Sequence, residues 1–163
     1  MIPYDLLTSP VYNYAVRGLT SRLLEGWTPR VFTTEQATDF TLPHSHRYEL
    51  LSIVLAGAVT NRLWEPNSLG VPATWFATEI MYRGKPGQYS HLGRGPRTTW
   101  SYRSRGYAAG EFYFMTASDV HSIAFSAGAC VLLLEGPSEA WSSVVLHNAP
   151  TFEVEPGLFT GEP

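Results

Sequence analysis

The sequence predicts an all-β fold, with strands wrapped into a two-sheet barrel or sandwich. Three observations carry this. Aromatic residues make up 13% of the chain, and they favour pleated, half-buried surfaces. The 14 Gly and 12 Pro cut the apolar stretches into short runs. Those runs recur at turn-separated intervals, as in sandwiches and jelly rolls. With 163 residues and a 44% hydrophobic fraction, one domain with a sizeable core is expected.

Taken in order, residues 1–28 read as a lead-in followed by a helix. Val16, Leu19, Leu23 and Leu24 form an apolar stripe over 13–26, with Asn13 as N-cap and Gly26 as stop. Residues 29–147 read as the barrel. Arg30–Thr34 is the first strand, and Ala37–Asp39 is a turn. His46–Leu55 and Ala58–Trp64 form a hairpin around Gly57. Residues 65–73 read as a loop, Trp75–Tyr82 as a strand, and the Gly-, Pro- and Arg-rich span 84–96 as a long loop or lid. Thr98–Tyr102, Glu111–Met115, His121–Phe125 and Cys130–Leu134 supply further strands, and Ser142–Leu146 an edge strand. Residues 148–163 read as an irregular tail.

The net charge of −3 argues against general nucleic-acid binding, which needs a basic face. Arg83, Lys85, Arg94, Arg97, Arg103 and Arg105 nonetheless cluster in one region. They fit either a solvated hairpin or the rim of an anion site. The single cysteine, Cys130, excludes an internal disulfide and a multi-cysteine zinc module, and reads as an inert core thiol. The start of the chain has neither a basic segment nor a long apolar one, and no run is long enough to span a bilayer. A cytoplasmic protein without membrane contact is therefore the expectation.

The chemistry centres on His44-Ser45-His46, which precedes an apolar run. In a strand, residues two apart share a face, so the two imidazoles would project together with Tyr48. His91 and His147 read as surface residues.

The pattern His44-x-His46, Glu49 and Gly57, followed by Gly110, five residues, Thr116-Ala117-Ser118 and then His121, resembles the two motifs of the cupin superfamily. The Pro-x-Gly turn of the second motif is replaced by Thr116 and Ser118. The resemblance implies a double-stranded β-helix, a small jelly roll, with a metal in one mouth. It implies His44, His46 and His121 as ligands of one divalent ion, Fe(II) in the preferred reading, with Zn, Mn or Ni as alternatives. Strand parity turns Glu49 away from this group unless a bulge restores it, so a three-histidine site is preferred.

Tyr48 and Glu49 are the candidate catalytic residues. Arg47, Arg62, Glu79 and Tyr113 are candidates for substrate binding, and either arginine could clamp a carboxylate or phosphate. Asp119 reads as a turn residue or as a hydrogen-bond partner for an imidazole. The reading is a metal-dependent, dioxygenase-like oxidoreductase acting on a small polar molecule. The alternatives are a metal-dependent isomerase, epimerase or lyase, and a non-catalytic barrel that binds an anionic metabolite or nucleotide. A homodimer is expected by analogy.

Overall fold

The computed structural model describes residues 11–13, 19–23, 30–67, 69–82 and 89–148. These residues form strands and connections and no helix. The strands are β1 (Val11–Asn13), β2 (Leu19–Leu23), β3 (Arg30–Thr34), β4 (Tyr48–Ala56), β5 (Ala58–Pro66), β6 (Val71–Tyr82), β7 (Tyr89–Ala108), β8 (Phe112–Met115), β9 (Val120–Phe125), β10 (Cys130–Ser138) and β11 (Ser143–His147). They make two antiparallel sheets, ordered β1-β2-β3-β10-β4-β8 and β11-β6-β7-β5-β9. The all-β, two-sheet architecture is the one the sequence predicts.

Residues 43–45 close the second sheet on itself. On one side the His44 amide donates to the His121 carbonyl and the His121 amide to the His44 carbonyl, each at 2.8 Å. On the other side the Ser45 amide donates to Val144 and the Leu146 amide to Pro43, both at 2.8 Å. The Ser45 hydroxyl accepts the Val144 amide at 2.9 Å. A short segment thus stitches β9 to β11, the two terminal strands of the sheet, and β11 is the edge strand the sequence suggested, covered by this segment. All five strands of this sheet feed one apolar cluster, including Trp64, Trp75, Trp100, Tyr102, Val120 and Leu146.

The main core lies on the opposite face of β5 and β9, against the first sheet. Leu50, Ser52 and Val54 alternate inward on β4 and are buried. They meet Val59, Ile123, Phe125, Met115 and Val131. Burial of side chains this size stabilises by about 1.5–3 kcal/mol each, so this face fixes the register of everything attached to it.

Several expected elements differ. The described part of the expected 13–26 helix is strand: Asn13 ends β1, and Leu19–Leu23 pair with β3, Leu19 opposite Thr34 and Leu23 opposite Arg30. Leu19, Ser21 and Leu23 also satisfy a period of two, and pairing with a neighbouring strand outweighs a helical stripe already weakened by Gly18. Residues 14–18 and 24–26 lie outside the described residues.

β4 and β5 are not a hairpin. They belong to different sheets, and Gly57, at φ 66°, turns the chain from one to the other. The expected lid is mostly strand: β7 starts at Tyr89, runs through Thr98–Tyr102, and pairs with β6 from Tyr89 to Tyr102. His91 accordingly sits in β7 opposite Ile80, not in a loop. Residues 83–88 of the expected loop lie outside the described residues.

Candidate metal centre

The path of the chain from Thr38 to His44 sets the position of the first histidine. Thr38, Thr41 and His44 donate their amides to Phe125, Ile123 and His121 at 2.9, 3.0 and 2.8 Å. Three residues on one side thus match two on the other, so this is not a regular ladder. The Thr38 and Thr41 hydroxyls accept the Phe125 and Ile123 amides at 3.0 and 3.1 Å, supplying the acceptors that the irregular backbone does not. His44 therefore forms an isolated bridge, and β4 begins only at Tyr48. The two histidines of the His-x-His pair come together because one is bonded to β9 and the other leads into β4. Simple strand parity is not the cause.

The three imidazoles form a tight group. Ring centroids are 4.9 Å apart for His44 and His46, 4.8 Å for His44 and His121, and 5.1 Å for His46 and His121. One ligand atom from each lies within 4.8 Å of the others. His121 is buried, while His44 and His46 are half-buried and reach solvent.

Two of the rings have their tautomer fixed. His44 Nδ1 donates to the Leu42 carbonyl at 2.7 Å. His121 Nδ1 donates to Asn61 Oδ1 at 2.9 Å, and the Asn61 amide nitrogen points to Met115 Sδ at 3.6 Å. A ring that donates through Nδ1 presents a lone pair at Nε2. His46 Nε2 lies 2.9 Å from His121 Nε2. In the metal-free chain His46 Nε2–H can donate to the His121 lone pair. Two nitrogens bound to one ion at about 2.0–2.1 Å are roughly 2.9–3.4 Å apart, so this separation fits a shared metal ion.

Burial pushes the pKa of all three rings down, His46 and His121 well below 6.5. The neighbouring imidazoles lower His46 and His121 further, and Arg30 lowers His46. Neutral rings near pH 7 have the lone pairs that a metal requires.

Tyr48 packs beside His46 with ring centroids 5.4 Å apart, and its hydroxyl donates to Glu135 Oε1 at 2.9 Å. Arg30 Nε lies 2.5 Å from the same oxygen. Glu135 pairs with Leu50 and Arg30 with Leu133, and both of those leucines are in the core. The carboxylate and guanidinium are therefore on the inward face.

The remaining candidates lie apart from the triad. Glu49 falls on the face of β4 opposite Leu50, and the histidine cluster does not include it. Arg47 precedes Tyr48 on the opposite parity, and its carbonyl accepts the Glu139 and Ala140 amides at 2.7 and 3.0 Å. Arg62 lies on the face of β5 opposite Asn61, its guanidinium 3.5 Å from the Phe40 ring centre and 4.5 Å from that of Tyr102. Glu79 accepts the Ser142 hydroxyl at an exposed site. Tyr113 is buried beside Ser52, deeper in the core, and burial raises its phenol to about 12.

Asp119 accepts the Thr116 amide at 2.8 Å and is a turn residue, directly after Thr116-Ala117-Ser118. His147 is not at the surface: it is buried, 2.6 Å from the Thr78 hydroxyl, and stacked on Phe76. It follows Leu146 at the end of an apolar strand, and pairing with Phe76 draws its ring under cover. Cys130 is half-buried and not the core residue the sequence suggested, and burial raises its thiol pKa.

Among the clustered basic residues, Arg103 pairs with Glu65 at 2.5 Å, and Arg94 and Arg105 lie over Phe76 and Tyr107. This is the pattern of an exposed hairpin.

Sequence reasoning missed Asn61, Glu135 and Arg30. The signal for two of them was available. Asn61 shares parity with buried Val59, and Glu135 shares parity with buried Val131 and Leu133. A polar residue on a core parity calls for a partner.

No family model matches the chain, and no curated protein does. Among solved structures it is similar to the Lactobacillus farciminis oxalate decarboxylase formate complex, at 12% identity and TM-score 0.45, covering 92% of this chain and 33% of that one. It is also similar to the polyketide cyclase RemF from Streptomyces resistomycificus, at 13% identity and TM-score 0.44, covering 97% of this chain and 90% of that one. A third is the Drosophila melanogaster CENP-C cupin domain, at 8% identity and TM-score 0.43, covering 77% and 75%. The chain spans about a third of the oxalate decarboxylase chain. No described helix is long and apolar enough to cross a membrane.

Proposed function

We propose that this chain is a mononuclear metalloenzyme of the cupin type, with His44, His46 and His121 holding one divalent ion, Fe(II), and that it oxidises a small polar molecule. The observation that carries this is the convergence of three neutral imidazoles, two of them held by Leu42 and Asn61 in the tautomer that leaves Nε2 a lone pair. A nitrogen-only set suits Fe, Zn, Ni or Cu better than Mg or Ca. When bound, such an ion would supply Lewis acidity and, as Fe(II), one-electron chemistry toward dioxygen. The chain's own contribution is positional. Leu42 and Asn61 hold two rings in the ligating tautomer, and the half-buried faces of His44 and His46 leave an approach for the substrate. Tyr48 stands beside that approach with its phenol held by Glu135.

The test is turnover by Fe(II)-loaded protein across a panel of small hydroxylated and amino compounds, with oxygen consumption followed. Oxygen uptake that requires both iron and one compound supports the reading. No uptake with any compound contradicts it.

A second reading, metal-assisted isomerisation or elimination, is favoured by the Tyr48–Glu135 pair, since a hydroxyl coupled to a carboxylate can carry a proton. Full activity with zinc and without oxygen would select it.

A further inference from the structure

Tyr48, Glu135 and Arg30 are linked in a way that limits what the site can accept. The Tyr48 hydroxyl has one proton, and it is directed at Glu135 Oε1, 2.9 Å away. The side chain of Glu135 is only 11% exposed, and Arg30 Nε lies 2.5 Å from the same oxygen as an ion pair. An ionised carboxylate is an acceptor and has no proton to give. Tyr48 must therefore donate toward Glu135, and its oxygen can only accept from any other group it meets. Its ring lies beside His46, on the inward parity it shares with Leu50.

We infer that Glu135, anchored by Arg30, is a positioning residue that makes Tyr48 a hydrogen-bond acceptor at the metal pocket. The pocket then selects ligands that carry a donor, a hydroxyl or an N–H, next to their metal-binding atoms. This rests on the metal reading proposed above and adds the substrate class to it. A fully ether- or ester-blocked ligand would leave the Tyr48 oxygen facing an acceptor, and two facing acceptors repel. Arg30 and Glu135 are far apart in the chain, yet β3 and β10 pair and bring them together through the match of Arg30 with Leu133.

The test uses Co(II)-loaded full chain and two chelating probes, acetohydroxamate and N-methylacetohydroxamate. Both can bind metal through two oxygens, and only the first carries an N–H. Their binding is followed through the visible cobalt bands. The wild type should favour acetohydroxamate by roughly tenfold, the value of one hydrogen bond of ordinary strength. Tyr48→Phe should bind cobalt normally and reduce the preference to under about twofold. Glu135→Gln should also keep cobalt and lose or reverse the preference, since the Gln amide can donate to Tyr48 and turn its proton outward. Glu135→Asp should retain it in part. A merely structural role for Glu135 would weaken both probes equally and leave their ratio unchanged, which overturns the inference. Equal binding of the two probes by the wild type also overturns it while leaving the metal site standing. Failure of the wild type to take up cobalt overturns the metal reading, and this inference with it.

Discussion

His44 and His121 are joined by two reciprocal backbone hydrogen bonds of 2.8 Å, and their rings stand 4.8 Å apart. The contact that closes the second sheet is thus the contact that assembles two-thirds of the histidine cluster. Stability of the closure and geometry of the site are one property here.

Ser45 tests that coupling. Its buried hydroxyl accepts the Val144 amide. Ser45→Ala leaves that amide unpaired and should cost about 1–3 kcal/mol. Metal affinity should fall with it, because His44 is the next residue. Chemical denaturation and metal titration on one preparation check both effects. A loss of stability with unchanged affinity would separate the closure from the site.

Asn61 holds His121 in its ligating tautomer. Asn61→Leu removes the acceptor and should weaken metal binding by roughly 10–100-fold. Asn61→Asp keeps an acceptor at the same place and should stay within that range of the wild type. Competition against a chromogenic chelator measures this, and equal affinity in Asn61→Leu and wild type would refute the role given to Asn61.

The three buried imidazoles set a pH dependence in the metal-free protein. Their pKa values are lowered in the folded chain, so below 6.5 the unfolded chain binds more protons. Stability from these groups is therefore present above pH 6.5 and is lost as pH falls toward their folded values. The melting temperature of the apo protein should be level above neutrality and should decline on acidification. His121→Ala should flatten the decline. A melting temperature that rises on acidification would contradict the lowered pKa values.

Two glycines separate backbone strain from crowding. A Cβ on Gly57, at φ +66°, would stand 2.8 Å from Ala129 Cα and from Ser126 Oγ. At Gly128, φ +70°, a Cβ would meet nothing within 4 Å. Gly128→Ala should cost only the left-handed backbone penalty, about 1–2 kcal/mol. Gly57→Ala should cost more, because Ala129 backbone must move. Equal costs in urea unfolding would show that the corner at Gly57 has room to relax.

Much of this could be read from the residues. The strand positions of Tyr48–Ala56, Val120–Phe125 and Cys130–Ser138 follow from short apolar runs bounded by turn residues, and the three histidines stood out by their spacing. What could not be read is the partner of each strand. Gly57 is as suited to a corner between sheets as to a hairpin, and only the non-local pairing of β5 with β7 and β9 decides. Leu19–Leu23 fits both periods, so its neighbour β3 determines its state. The roles of the supporting residues were hidden for the same reason, although core parity marked Asn61 and Glu135 as polar residues in need of a partner. Asn61 and Glu135 matter through contacts with His121 and Tyr48, which lie far away in the chain.

Metal binding by His44, His46 and His121 underlies both proposals. Elemental analysis of untagged protein, purified anaerobically without chelator, tests it most directly when folded His44→Ala and His121→Ala variants are measured beside it. About one iron per chain is expected in the wild type, lost in both variants. A wild type that carries no metal and takes up none on reconstitution would contradict it.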